Sequence, residues 1–181
     1  MTLQNERGLT LAEILVAVAI IGIGLVGLAV VVPISSYGVQ EGNQLSTATF
    51  LAEQRIEQVR NATWTVTGPA DCVGTSAGGA APTAAATSTT CARVADASTG
   101  LAACNSGVAC TTYPDEATVT GFTGYSRTTR IIDCSAGAGC AGVVDAAMRT
   151  VRVTVTYRPL TSSGVSPTTK RVTVDWLVSQ R

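Results

Sequence analysis

Two sets of side chains in this 181-residue chain have a type and placement that could do chemistry: one carboxylate beside an apolar run, and six cysteines. Glu13 follows Leu9-Thr10-Leu11-Ala12 and abuts Ile14 to Val32, a run without a charged or strongly polar side chain. A carboxylate at the centre of a membrane span costs about 2.5–3.5 kcal/mol on insertion scales, and less near the interface. Glu13 is therefore either an interfacial acid favoured by a helix N-terminus or a group that awaits a cationic partner. The cysteines are Cys72, Cys91, Cys104, Cys110, Cys134 and Cys140, all C-terminal to the apolar run. No C-x-x-C occurs, so neither a zinc knuckle nor a thioredoxin-type pair is signalled. An even set in a Gly-rich region reads as disulfides made in an oxidising compartment. Histidine is absent. That excludes Ser-His and Cys-His nucleophile pairs, histidine metal ligands and c-type haem attachment.

The elements that position these residues follow from patterning. At ~1.5 Å per residue, Ile14 to Val32 spans about 28 Å, close to a hydrocarbon core of ~30 Å. It is too long for a secretory h-region and no A-x-A site follows it. It reads as one membrane-spanning helix, about 14–32. Arg7 in the short polar segment before it gives a positive-inside bias: N-terminus cytoplasmic, cysteine-bearing body outside. The helix is expected to continue to Asn61. Leu45, Thr49, Ala52, Ile56 and Val59 form an apolar stripe, and Glu41, Glu53, Arg55, Glu57 and Arg60 lie largely off it. Pro33 and Gly22, Gly24 and Gly27 interrupt the pattern, and a proline tends to kink a helix.

Residues 68–110 are mostly Ala, Gly, Ser and Thr, with only Asp71, Arg93 and Asp96 charged. Such a stretch buries little apolar area against an ordering cost of about 1–2 kcal/mol per residue. Cross-links worth about 2–4 kcal/mol each are a remedy. Sheet is expected over about 117–180. Arg149, Val151, Val153, Val155 and Tyr157 alternate with Thr150, Arg152, Thr154 and Thr156, and Val172, Val174, Trp176 and Val178 repeat the pattern. Tyr125 to Cys134 is a third strand and Ala117 to Phe122 a weaker fourth. The apolar face needs a cover, and the helix stripe supplies it.

Composition excludes several functions. Twelve basic and 12 acidic side chains cancel, which gives no footprint for nucleic acid or an anionic membrane surface. Aromatics at 4% are too few for a stacking platform. Arg127, Arg130, Arg149, Arg152 and Arg171 could form a DNA-binding strip, but balancing acids argue against it. Asp115-Glu116 lacks a calcium-loop pattern and reads as a solvated turn. Asp133, Asp145 and Asp175 show no shared pocket, so no catalytic, metal or cofactor site is assigned and the chain is read as not an enzyme.

Gly8-Leu9-Thr10-Leu11-Ala12-Glu13, followed by a long apolar run, resembles the class III signal of type IV pilins and type II secretion pseudopilins. The resemblance implies that a prepilin peptidase cuts after Gly8 and methylates the new amino terminus at Leu9. Family members more often carry Phe there. It also implies that Thr10 and Glu13 serve assembly: Glu13 of one subunit neutralises the Leu9 ammonium of a neighbour, since a paired buried charge is far less costly than an unpaired one. Ile23-Gly24-Leu25-Val26-Gly27-Leu28-Ala29 and Leu51-Ala52-Glu53-Gln54-Arg55-Ile56-Glu57-Gln58-Val59-Arg60 are similar to tracts of the PilV minor-pilin family, the type IV pilus modification proteins.

This resemblance implies an α+β pilin fold, a long N-terminal helix packed on a C-terminal antiparallel sheet. It divides the chain into a leader (1–8), the helix (9–61) and a periplasmic globular domain (62–181). The implied function is a minor pilin that primes a type IV pilus or sits at its tip. The alternatives are a minor pseudopilin of a type II secretion system and an unprocessed single-pass membrane protein with a periplasmic binding module. Implied partners are prepilin peptidase, other pilin subunits, the inner membrane before assembly and a tip adhesin, and the charge balance argues against nucleic acid as a partner. The protein then moves from the inner membrane to the cell surface in the pilus. For the cysteines, Gly137 and Gly139 can turn the segment from Cys134 to Cys140, and Cys104 to Cys110 has the same spacing. That favours a local set completed by Cys72 with Cys91. The rival is a bridge such as Cys110 to Cys134, pinning the loop to the sheet as pilins often do.

Overall fold

The computed structural model describes residues 10–66, 70–86, 91, 93–105, 107–161 and 164–180. Among the described residues one helix, α1 (Leu11–Asn61), precedes seven strands: β1 (Thr83–Ala84), β2 (Cys110–Thr111), β3 (Tyr125–Asp133), β4 (Met148–Tyr157), β5 (Leu160–Thr161), β6 (Gly164–Val165) and β7 (Lys170–Ser179). β3, β4 and β7 form an antiparallel sheet with β4 in the centre, and β1-β2 and β5-β6 are small separate pairs. This is the α+β pilin architecture: one long helix laid on an antiparallel sheet.

α1 has 51 residues and is about 77 Å long. Its backbone stays helical through Gly22, Gly24, Gly27 and Pro33. A single proline removes one ladder bond, and the intact turns on either side hold the helix. The two halves differ in packing. Leu11–Ala29 is long and apolar enough to cross a membrane, and none of it is buried in the fold. The second half buries Ala48, Leu51, Ala52, Arg55, Ile56 and Val59, spacings of three and four that make one helical face. The stripe is thus rotated from the expected one. Leu45 is exposed, Thr49 is half-buried, and Arg55 lies at the centre of the buried face. Counting apolar residues misplaces the stripe because a buried arginine is scored as solvent-facing.

Strand alternation sets the other half of the core. The β4 register pairs Val151 with Ile131 and Trp176, and Val153 with Thr129 and Val174. Val151, Val153 and Val155 are fully buried against α1 with Ile131 and Tyr157. Each buried aliphatic side chain contributes roughly 1.5–3 kcal/mol. Ala117 to Phe122 is not a strand. It holds a tight turn in which Val119 bridges Phe122, with Gly121 at φ +79°. Positive φ at Gly121 ends any extended run.

Arg149, on the inner face of β4, joins the sheet to the loop after α1. Its Nη1 and Nη2 donate to the two Asp71 carboxylate oxygens at 2.7 and 3.1 Å, and its guanidinium lies 4.1 Å from the Trp64 ring centre. Burial pushes the Asp71 carboxyl up, but the Arg149 bonds and the Gly74 and Val73 amides outweigh it and hold the group below its ordinary value. A carboxylate depressed in the folded state gives stability that is present above its unfolded value of about 3.9. That stability is lost as the pH falls through the folded value. Asp71→Asn is therefore expected to be less stable than the parent near neutral pH, with the difference shrinking below about pH 4. Denaturant midpoints of both proteins across that range test this, and a gap of constant size would contradict it.

Candidate assembly site and the disulfide framework

Thr10 and Glu13 form a reciprocal cap at the start of α1. Glu13 N–H donates to Thr10 Oγ1 at 3.3 Å, and Thr10 N–H and Oγ1–H donate to Glu13 Oε2 at 2.9 and 3.0 Å. Threonine with a glutamate three residues later is the sequence form of this capping box. Orphan amide groups at a helix start are satisfied this way. The cap leaves the carboxylate exposed. Gly8 and Leu9 themselves lie outside the described residues. Around the cap, Leu11, Ile14, Leu15 and Val18 are all more than half exposed. An apolar helix half with nothing packed on it needs lipid or other helices.

The six cysteines are paired locally. Cys72 bonds Cys91, Cys104 bonds Cys110 and Cys134 bonds Cys140, with Cα separations of 5.1, 5.6 and 5.6 Å. Gly137 and Gly139 turn the last loop at φ +70° and +79°. A bridge from Cys110 to Cys134 is absent. The loop is pinned to the body by polar contacts instead. The Thr112 hydroxyl donates to Val73 O at 2.6 Å, and Ser76 N–H in the loop donates to Ile131 O on β3 at 2.7 Å.

The strongest of these pins was missed in the sequence. Glu116, partly buried with its side chain 9% exposed, accepts from two arginines: Arg127 through Nε at 2.7 Å and Nη2 at 3.1 Å, and Arg55 through Nη2. Arg127 also donates through Nη1 to Leu51 O on α1 at 2.9 Å and through Nη2 to Thr99 O at 3.3 Å. One carboxylate thus ties helix, sheet edge and loop together. Arg55 lies over the Tyr113 ring at 5.5 Å, which offsets the lack of partners for its Nε and Nη1 among the described residues. Burial, then the neighbouring Arg127, lowers the Arg55 guanidinium to about 10 against the pull of Glu116, so it stays charged at neutral pH. Asp115-Glu116 is accordingly not a solvated turn. Asp115 faces outward to Arg130 at 2.6 and 2.8 Å, while Glu116 faces in. The signal available in the sequence was the alternation itself, which puts Arg127 in phase with Thr129 and Ile131 on the buried face.

The same alternation divides the five arginines. Arg127 and Arg149 are buried on the inner face, while Arg130 and Arg152 sit opposite each other on the outer one. Arg152 binds Asp175 at 2.7 and 2.8 Å. Of the five, only Arg171 has no ion pair among the described residues. Asp133 and Asp145 accept from the amides of Ser135 and Ala147 in turns, both at 2.8 Å. Each of the three aspartates therefore has a local structural partner, and they share no site.

Residues 3–29 match the family model described as the prokaryotic N-terminal methylation motif, which is the class III signal of type IV pilin-like proteins. The match contains Gly8, Thr10 and Glu13 and ends with the exposed apolar segment. No curated protein and no solved structure matches the chain. The chain therefore joins a prokaryotic N-terminal methylation motif to the helix-on-sheet fold of a pilin.

Proposed function

We propose that the protein is a minor pilin, a structural subunit that primes a type IV pilus or sits at its tip. The observation that carries the reading is the pairing of the methylation motif at residues 3–29 with a long apolar helix half that the fold leaves bare. Cleavage after Gly8 creates a cationic amine at Leu9, four residues before Glu13 in sequence. Side-by-side stacking of such helices removes their apolar surface from lipid and pairs opposite charges in low dielectric. The tracts Ile23 to Ala29 and Leu51 to Arg60 favour the PilV-type minor pilins over a secretion pseudopilin. Before assembly the helix anchors the subunit in the inner membrane, N-terminus in the cytoplasm and disulfide-bearing body in the periplasm.

Intact-mass measurement of the chain from sheared surface filaments tests this. The expected mass is that of a chain starting at Leu9 and carrying one N-methyl group. Gly8→Val is expected to block processing, because a branched side chain replaces hydrogen at the cut, and to remove the subunit from filaments. A filament-borne chain that retains Met1 would refute the processing step. A processed chain found only with secretion components would favour the pseudopilin alternative.

A further inference from the structure

The two edges of the main sheet are treated differently. On β3 several of the outward backbone groups are taken up. Tyr125 O accepts from Val119 N–H at 2.9 Å, Arg127 exchanges two bonds of 2.9 Å with Glu116, and Ile131 O accepts from Ser76 N–H at 2.7 Å. On β7 the phase is set by Gln180 N–H, which donates to Ala147 O at 3.0 Å in the register that pairs Val178 with Arg149. Antiparallel pairs alternate between bonded and non-bonded. The even-numbered residues of β7 therefore bond to β4. Arg171, Thr173, Asp175, Leu177 and Ser179 direct their N–H and C=O groups away from the sheet. Among the described residues nothing takes up those backbone groups.

β7 has 10 residues in unbroken one-to-one register, with neither proline nor bulge. Proteins normally cover, break or shorten an edge of that kind, because it is a template for another strand. At its C-terminal end Trp176 and Leu177, on opposite faces, remain 48% and 44% exposed. Lys170 at the other end is paired with Glu41 and Asp175 with Arg152, whereas Arg171 has no acidic partner among the described residues.

We propose that the free edge of β7 is a docking site for an extended segment of a different chain in the assembly, which adds as a further strand. The segment presents a carboxylate to Arg171 and apolar side chains to Trp176 and Leu177. A second copy of this chain is disfavoured by the path of α1, which runs alongside β7 in the same direction: Glu41 meets Lys170, and Arg60 lies over Trp176. An antiparallel pair of β7 strands would send the two apolar helix halves opposite ways, which neither one membrane nor one polar filament can hold. Main-chain bonds supply the affinity of strand addition, and alternate side chains its specificity.

This inference rests on the proposed role in assembly, and the experiment separates the two. The processed chain is isolated alone in detergent micelles, and also within the complexes it forms in cells, both sheared filaments and membrane assemblies. Amide hydrogen exchange is then read at single-residue resolution. The amides of Thr173, Asp175 and Leu177 are expected to slow by roughly a hundredfold or more in the complexes, while those of Val174 and Trp176, bonded to β4, are slow in both forms. Equal exchange of the outward amides in both forms overturns the proposal. A photo-crosslinker at Thr173 that captures a second copy of this chain overturns the assigned occupant. Arg171→Glu is expected to lower the chain's abundance in the complexes about tenfold, with Arg171→Lys retaining it, and unchanged abundance of Arg171→Glu overturns the charge contact. A chain absent from filaments that shows the alternating protection in membrane assemblies would support strand addition and defeat the pilus reading. A chain present in filaments with unprotected outward amides would do the reverse.

Discussion

Glu116→Ala is expected to destabilise the folded body by about 3–5 kcal/mol, the usual consequence of removing one partner from a buried ion pair. The size follows from what is left behind. Arg55 and Arg127 are both buried, and without Glu116 two guanidinium groups face each other in low dielectric with no counter-charge. Arg55 and Arg127 also donate to Gly100 O and Thr99 O of the loop, and both would lose the carboxylate that holds them in place. Gly100→Ala tests the same contact from the other side. Gly100 has φ +67°, and a Cβ there would lie 2.0 Å from Glu116 Oε1, so the carboxylate must move. Arg130→Ala is the control, since its partly exposed pair with Asp115 should be worth no more than about 1 kcal/mol. Denaturant unfolding of the full chain in detergent micelles, followed by near-ultraviolet circular dichroism, reports all three. If Glu116→Ala costs no more than Arg130→Ala, the buried pair does not hold the body together.

Glu13→Val is expected to leave that unfolding transition where it is and to abolish assembly. Among the described residues its side chain bonds only Thr10, its capping partner, about eight helical turns before Glu41, which pairs with Lys170 on β7, so the body cannot feel its loss. Removing a charge from the start of an apolar helix makes insertion easier. In a stack of helices, however, the Leu9 ammonium of the neighbour would then lie unpaired in hydrocarbon, a penalty of several kcal/mol per subunit. Incorporation into surface filaments should fall by roughly a hundredfold or more at ~3 kcal/mol. Quantitative blotting of sheared filaments against the membrane pool measures it, and parental incorporation of the variant would remove Glu13 from the assembly mechanism.

The parts of this protein legible in the linear chain are those whose physics is local. An apolar run of membrane length and a Thr-x-x-Glu cap at its start need no knowledge of what lies far away in sequence. Strict alternation at Arg149 to Tyr157 and Val172 to Val178 announced strands, and the register of β4 with β7 follows from burying one side of each. Short cysteine spacings with glycines between them marked loops that can close on themselves. What could not be read were contacts that depend on partners brought together by folding. Arg55 has the composition of a solvent-facing helix residue. It is buried because Glu116, from a loop, and Tyr113 meet it across a large separation in sequence. The five arginines look like one strip, but the pleat sends Arg127 and Arg149 inward and Arg130, Arg152 and Arg171 outward. Periodicity places a side chain on a face. Whether that face receives a counter-charge, an aromatic ring or water is settled by the packing of distant segments, which carries no local signature in the sequence.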